Sequence, residues 1–166
     1  EPIPGTEGAV ALFLSPDGDW VGFYADRHVR KVSLQGGALS TICPIDRTTF
    51  RGGTWGPHNT IAYSLCTLGL RVVPVAGGTP EVLTSVLDIH NEGDHVFPQF
   101  LPGGEEILFT VANSAVAARI AVRHLATGEQ RTVIERGFHG RYVSTGHIVY
   151  AWEGELLAVP FDLAKL

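Results

Sequence analysis

Short apolar runs alternate with turn-forming residues along the whole chain, at strand rather than helix spacing. Runs such as "DWVGFYA", "TIAYSL", "EEILFTV" and "HIVYAW" are rich in Val, Ile, Leu, Phe and Tyr and are bounded by Gly, Pro, Asp or Asn. Glycine numbers 20 and proline 10, and they punctuate these runs at intervals, the pattern of an all-β chain. No window carries a convincing 3.6-residue period. Residues 112–121, "ANSAVAARIA", come nearest to helical composition and read as a hairpin loop entering a strand.

The turns recur. Ser15-Pro16-Asp17-Gly18, Gly56-Pro57-His58-Asn59, Leu101-Pro102-Gly103-Gly104 and Ser144-Thr145-Gly146 each precede a strongly apolar run. The three prolines lie 41 and 45 residues apart, and Ser144 follows Pro102 by 42. A second marker keeps step: Gly36-Gly37 after "RKVSLQ", Gly77-Gly78 after "LRVVPVA" and Thr127-Gly128 after "IAVRHLA". Leu14, Trp55, Phe100 and Tyr142 stand two places before the turn position in successive units. Four antiparallel strands in about 42 residues make a β-propeller blade. The expected fold is therefore all-β, about four four-stranded blades in one domain, near 9–43, 51–84, 95–135 and 140–166. Asp17 and Gly18 suit a tight turn, since Asp bonds local backbone and Gly accepts positive φ. Pro74, in a third strand, predicts a bulge or a backbone position needing no donor.

Composition narrows the function classes. Apolar residues make up 45% of the 166, enough for a sizeable core. The net charge is −5 and the 12 basic residues are scattered, which argues against a nucleic-acid partner. No apolar run approaches the roughly 18 residues of a membrane span, and the N-terminus lacks the basic and apolar segments of a signal peptide. Cys43 and Cys66 lie in strand-like runs and read as buried free thiols.

The repeat resembles the TolB-like propeller repeat, also called the WD40-like or PD40 repeat. Its S-P-D-G turn and Gly-Gly turn are matched by Ser15–Gly18 and Gly36-Gly37, with degenerate copies at Gly56–Asn59 and Leu101–Gly104. "LSPDGDWVGFYADRHVRKVSLQGG", "GGTWGPHNTIAYS" and "HVFPQFLPGGEEILFTV" are similar to the propellers attached C-terminally to bacterial serine/threonine protein kinases. The resemblance implies a periplasmic or extracytoplasmic setting and leaves the cytoplasm open. The chain carries no kinase phosphate loop, His-Arg-Asp or Asp-Phe-Gly. Related propellers have six to eight blades, about 250–340 residues at this repeat length. An arc of four blades leaves apolar faces bare at both ends, and such faces mark interfaces. The arc closes on itself, joins a second copy into an eight-bladed ring, or meets blades lying elsewhere; a homodimer is the favoured expectation. The segment 1–8, "EPIPGTEG", is a candidate closing strand for the fourth blade, which stops at "ELLAVPFDLAKL" without an outer strand.

The most polar stretch, 87–104, gathers Asp88, His90, Glu92, Asp94 and His95. It matches no established metal motif, so no metal and no cofactor is expected. It does match the H-x-x-P-Q-x-L-P-G-G form of the kinase-attached propellers, and leads into an innermost strand near the axis. His95 and Gln99 are therefore the first candidates for ligand contact. Arg47, Arg51 and Trp55 precede the second blade's turn, and Arg136, His139 and Arg141 precede the fourth blade's. Arg51 and Arg141 join the candidate set, while Trp55 has the plainer role of filling the core between blades. No Gly-x-Ser-x-Gly, Gly-x-Gly-x-x-Gly or Walker sequence is present. The expectation is a non-catalytic module that recognises a protein or peptide through rim loops. The alternatives are a ligand-sensing segment of a kinase-linked receptor and, less favoured, a metal-dependent hydrolase or lyase.

Overall fold

A computed structural model describes residues 2–46, 49–86, 93–112 and 117–165. Arg47 and the acidic and histidine candidates Asp88, His90 and Glu92 lie outside them. Four antiparallel sheets follow one another along the chain. The first holds β1 (Val10–Leu14), β2 (Trp20–Ala25), β3 (His28–Ser33) and β4 (Ser40–Pro44). The second holds β5 (Phe50–Gly56), β6 (Thr60–Leu65), β7 (Gly69–Pro74) and the two-residue β8 (Glu81–Val82). The third holds β9 (Asp94–Phe100), β10 (Glu106–Ala112), β11 (Arg119–His124) and β12 (Gln130–Ile134). The fourth has three strands, β13 (Phe138–Val143), β14 (His147–Trp152) and β15 (Glu155–Pro160), followed by a 3-10 turn, Leu163–Lys165. In each sheet the strands are ordered as in the chain, the meander of a propeller blade.

The first strands are innermost: β1 lies against β5, β5 against β9 and β9 against β13. The repeat holds at the level of single residues. Leu14 is paired with Val21, Trp55 with Ile61, Phe100 with Ile107 and Tyr142 with Ile148, so the four large residues occupy corresponding places. The proline turns also behave as their residues dictate. Ser15 Oγ accepts the Trp20 N–H and donates to Asp17, whose carboxylate accepts the Asp19 N–H. Pro74 ends β7; β8 pairs only with Arg71 and Val72, so that edge misses no donor at the proline.

Core forms between blades. Phe13 and Val29 of the first blade pack with Trp55, Ile61 and Tyr63 of the second. Ala62 and Leu70 of the second pack with Ile107 and Phe109 of the third, and Ile120 and Leu108 of the third with Ile148 of the fourth. Glycines in β5 and β13 admit the preceding blade: a Cβ on Gly53 would lie 2.6 Å from the Phe13 ring, and one on Gly140 2.7 Å from Ile120. Trp55 thus takes the core role.

Among the described residues β1 does not touch β13, so this arc of blades does not close on itself. Nor does the N-terminal segment supply a fourth strand to the last blade within this chain. Left-handed Gly5 and Gly8 bend residues 2–8 into turns, tied by Thr6 Oγ1 donating to Ile3 O and Ala9 N–H to Thr6 O. Gly5 lies beside Leu39, which packs on Phe23, Ala25 and Val32 of the first blade. Cys43 is buried and free; Cys66 is only half-buried, one residue past β6.

Candidate functional site at the axial mouth

Each innermost strand carries a bulge near its start, where three residues span two of the neighbouring strand. The residue three before the large core residue is left-handed in every blade: Ala11 (φ 52°), Gly52 (106°), Phe97 (55°) and His139 (56°). Left-handed backbone is costly for residues with a Cβ and persists only when the surroundings over-determine it. At His139 the Thr110 hydroxyl accepts the backbone N–H at 3.1 Å. Beside Phe97, the Arg141 guanidinium donates to Phe97 O at 3.2 Å and to Pro98 O at 2.9 Å.

These bulges bring aromatic rings together around the axis. The Phe97 ring stacks on the His139 imidazole, centroids 4.3 Å apart at 17°, and meets Phe138 edge-on at 5.2 Å. Gly52 lies under this group, its Cβ position 3.5 Å from Phe97 Cα. Phe138 remains 42% exposed, and His139 is exposed as well. Although the residue as a whole is exposed, Phe97 covers one face of its ring; this desolvation first, and the charge of Arg141 second, hold the His139 imidazole below its ordinary value, which favours the neutral ring at pH 7. The result is an uncharged aromatic shelf backed by a half-buried cation.

The sequence-derived candidates distribute around this shelf. Arg51 is exposed, next to Gly52 and within hydrogen-bonding reach of the Cys66 thiol. Arg141 is half-buried and acts through the backbone of Phe97. Gln99 spans the joint between the third and fourth blades, donating to Tyr142 O and accepting Tyr142 N–H. His95 is 2% exposed, so its side chain does not reach the rim. Its Nδ1 hydrogen-bonds Thr84 Oγ1 at 2.7 Å, and its carbonyl accepts the Ser64 hydroxyl at 2.5 Å, tying the third blade to the second. Asp94 accepts the Thr67 N–H and the Cys66 thiol. Sequence reasoning placed His139 on this rim but missed Phe97 and Phe138; the only written sign of the bulge is Gly52, three residues before Trp55.

At the other end of the axis, Trp55, Phe100, Tyr142, Pro57 and Pro102 line a groove of about 460 Å³. Among the described residues one trio has metal-ligand types in reach: Glu105, Glu106 and His124, with ligand atoms within 4.8 Å of one another. There His124 Nδ1 accepts the Thr127 N–H at 3.2 Å.

No family model and no curated protein matches the sequence. Solved structures match the fold. A chain of a nidogen/laminin complex superposes with a TM-score of 0.71 at 15% identity, over 86% of this chain and 56% of that one. TolB from Acinetobacter baumannii superposes at 0.65 and 13% identity, over 90% and 42%. An oligogalacturonate lyase in complex with manganese superposes at 0.63 and 12%, over 86% and 46%. This chain therefore spans about half the length of each. At these identities the likeness concerns architecture, and the architecture of this chain is that of a TolB-like β-propeller.

Proposed function

We propose that this chain is a non-catalytic binding module that recognises a protein or peptide at the axial mouth. The carrying observation is the stack of Phe97 on His139, presented by two left-handed bulges with Phe138 exposed beside it. Strained backbone held in place around exposed aromatics is a recurrent feature of binding sites. The shelf offers planar apolar contact, and exposed Arg51 offers a carboxylate partner. A segment carrying an aromatic or proline ring next to an acidic residue has the matching chemistry. Gln99, Arg141 and His95 position the shelf rather than touch the partner, through the backbone bonds described above. The nidogen/laminin complex gives a precedent for a similar fold in a protein assembly. The lyase gives one in catalysis, but folds do not transmit function, and here Asp94 and His95 are committed to joints between blades.

Selection from a displayed peptide library tests this reading. Enriched peptides should carry an aromatic or proline beside Asp or Glu, and should lose binding to Phe138→Ala and Arg51→Ala. They should still bind Lys31→Ala, altered at the outer cleft beside Trp20. Peptides indifferent to Phe138 and Arg51 would place recognition elsewhere. A ligand-sensing role for the same shelf would appear instead as thermal stabilisation by small aromatic acids, abolished by the same two substitutions.

A further inference from the structure

We propose that the cleft between the second and third blades is a binding site for a small molecule bearing an oxyanion, with Arg123 as its charged anchor.

The repeat itself marks this residue. Val21, Ile61, Ile107 and Ile148 are each paired, on the side away from the large core residues, with Val32, Val73, Arg123 and Val159. Val32 and Val73 are buried. Val73 belongs to the core shared with the first blade, and Val159 packs against the core shared with the third, so this place looks toward the preceding blade. Three blades fill it with valine, and the remaining one sets a guanidinium there. A chain breaks its own pattern where a local cost serves function.

The cost shows in the bonding. Arg123 is half-buried, and its Nε is shut off from solvent without an acceptor. Among the described residues its side chain forms no ion pair and no hydrogen bond. Glu105 and Glu106, where the neighbouring strand begins, gather instead with His124. Gly128 keeps space for the guanidinium: a Cβ there would lie 3.0 Å from Arg123 Nη2. A charge withdrawn from water needs a counter-charge, and an anion from solution supplies it.

The cleft suits such a ligand. It encloses about 560 Å³, the scale of a small-molecule site. No carboxylate among the described residues lines it, although the chain carries a net charge of −5. Ser85 and Gln130, whose side chains have no bond among the described residues, stand with Arg123 along its wall. Thr84 holds that wall in place. Its Oγ1 accepts the Leu70 N–H at 2.9 Å and bonds His95 Nδ1 at 2.7 Å, while Arg71 donates to its carbonyl at 3.4 Å and sets a second cation behind it. The guanidinium fork matches two oxygens of a phosphate or carboxylate group. Ser85 and Gln130 bond the remaining oxygens, and Val82 and Leu83 meet the apolar body of the ligand. Phe97, Phe138 and His139 take no part in this lining.

Melting curves in chloride buffer at fixed ionic strength test the proposal, with inorganic phosphate and citrate as separate probes. At least one should raise the melting temperature saturably up to about 50 mM, as binding to the folded chain requires. A response to phosphate alone assigns a phosphate group to the ligand, and a response to citrate alone a carboxylate; either supports the site. Arg123→Val restores the residue of the other blades. It should melt at least as high as wild type in chloride and show no saturable shift. Ser85→Ala and Gln130→Ala, at exposed positions, should each weaken the same probe at least about threefold. No saturable shift with either anion, or a shift unchanged in Arg123→Val, would overturn the proposal. Binding unchanged in both alanine variants would overturn the cleft as its place.

Discussion

Gln99 holds Tyr142 as a strand neighbour would. Its Nε2 donates to Tyr142 O at 3.0 Å and its Oε1 accepts Tyr142 N–H at 2.8 Å. A side-chain amide thus replaces a peptide unit in joining two sheets that share no ladder. Gln99→Leu would leave a part-buried backbone donor and acceptor unpaired, at a cost of about 1–3 kcal/mol. Urea titration should show a lower midpoint with an unchanged slope.

Gly22 makes room for the ring of Phe13. A Cβ on Gly22 would stand 2.1 Å from that ring, which is itself buried between the first two blades. Gly22→Ala should therefore destabilise by about 1–3 kcal/mol through overpacking. Phe13→Leu in the same chain removes the obstruction, so the double variant should lose less than the two single losses added together. Strict additivity would show that the ring simply moves aside.

The blade pattern was legible because its turns are chemically distinctive. Proline, aspartate and glycine recur in phase, and Leu14, Trp55, Phe100 and Tyr142 fall in register with Val21, Ile61, Ile107 and Ile148. The axial shelf was far less legible. Its left-handed bulges are carried by Ala11, Phe97 and His139, residue types that give no sign of positive φ, and only Gly52 hints at the conformation. Polar residues near the rim were equally ambiguous. His95 and Gln99 bond to groups in a neighbouring blade, and Gln99 reaches across 43 positions of sequence. No local pattern tells such a side chain from one that faces water. The N-terminal prolines fitted an edge strand, but Gly5 and Gly8 in left-handed conformation turn the segment against Leu39.

Ala11 offers a clean measure of bulge strain. It holds φ 52° and its side chain is exposed, so little packing opposes relief. Ala11→Gly should raise stability by up to about 1 kcal/mol, the left-handed penalty less the entropy glycine loses on folding. An equal or lower denaturation midpoint would show that the bulge at Ala11 carries no strain.

Cys66 should be a sluggish thiol. Its S–H donates to Asp94 Oδ2 at 3.2 Å, and this bond, burial and the carboxylate charge push its pKa up against the opposing effect of Arg51. Thiolate is the reactive form. Asp94→Asn should therefore accelerate alkylation of Cys66 by iodoacetamide at pH 7.5, read by intact mass, while Cys43, buried and also shifted upward, stays unmodified in both proteins. Equal rates with and without the carboxylate would remove Asp94 as the cause.

His139 makes the shelf sensitive to acid. Burial first, and the Arg141 charge second, depress its pKa below 6.5 in the folded chain. The unfolded chain then binds more protons in the window between the folded value and about 6.5, so stability rises with pH there. The contribution is fully present above 6.5 and is lost as pH falls through the folded value. His139→Phe keeps a ring for Phe97 to stack on and removes the titration, so it should flatten that part of the pH profile. The comparison with wild type cancels the remaining histidines, and the imidazole can be followed directly by NMR. A His139 midpoint at or above 6.5 would mean that protonation costs the fold nothing. The shelf would then carry a positive charge at mildly acidic pH, favouring an acidic partner more strongly and weakening the case for a neutral stack.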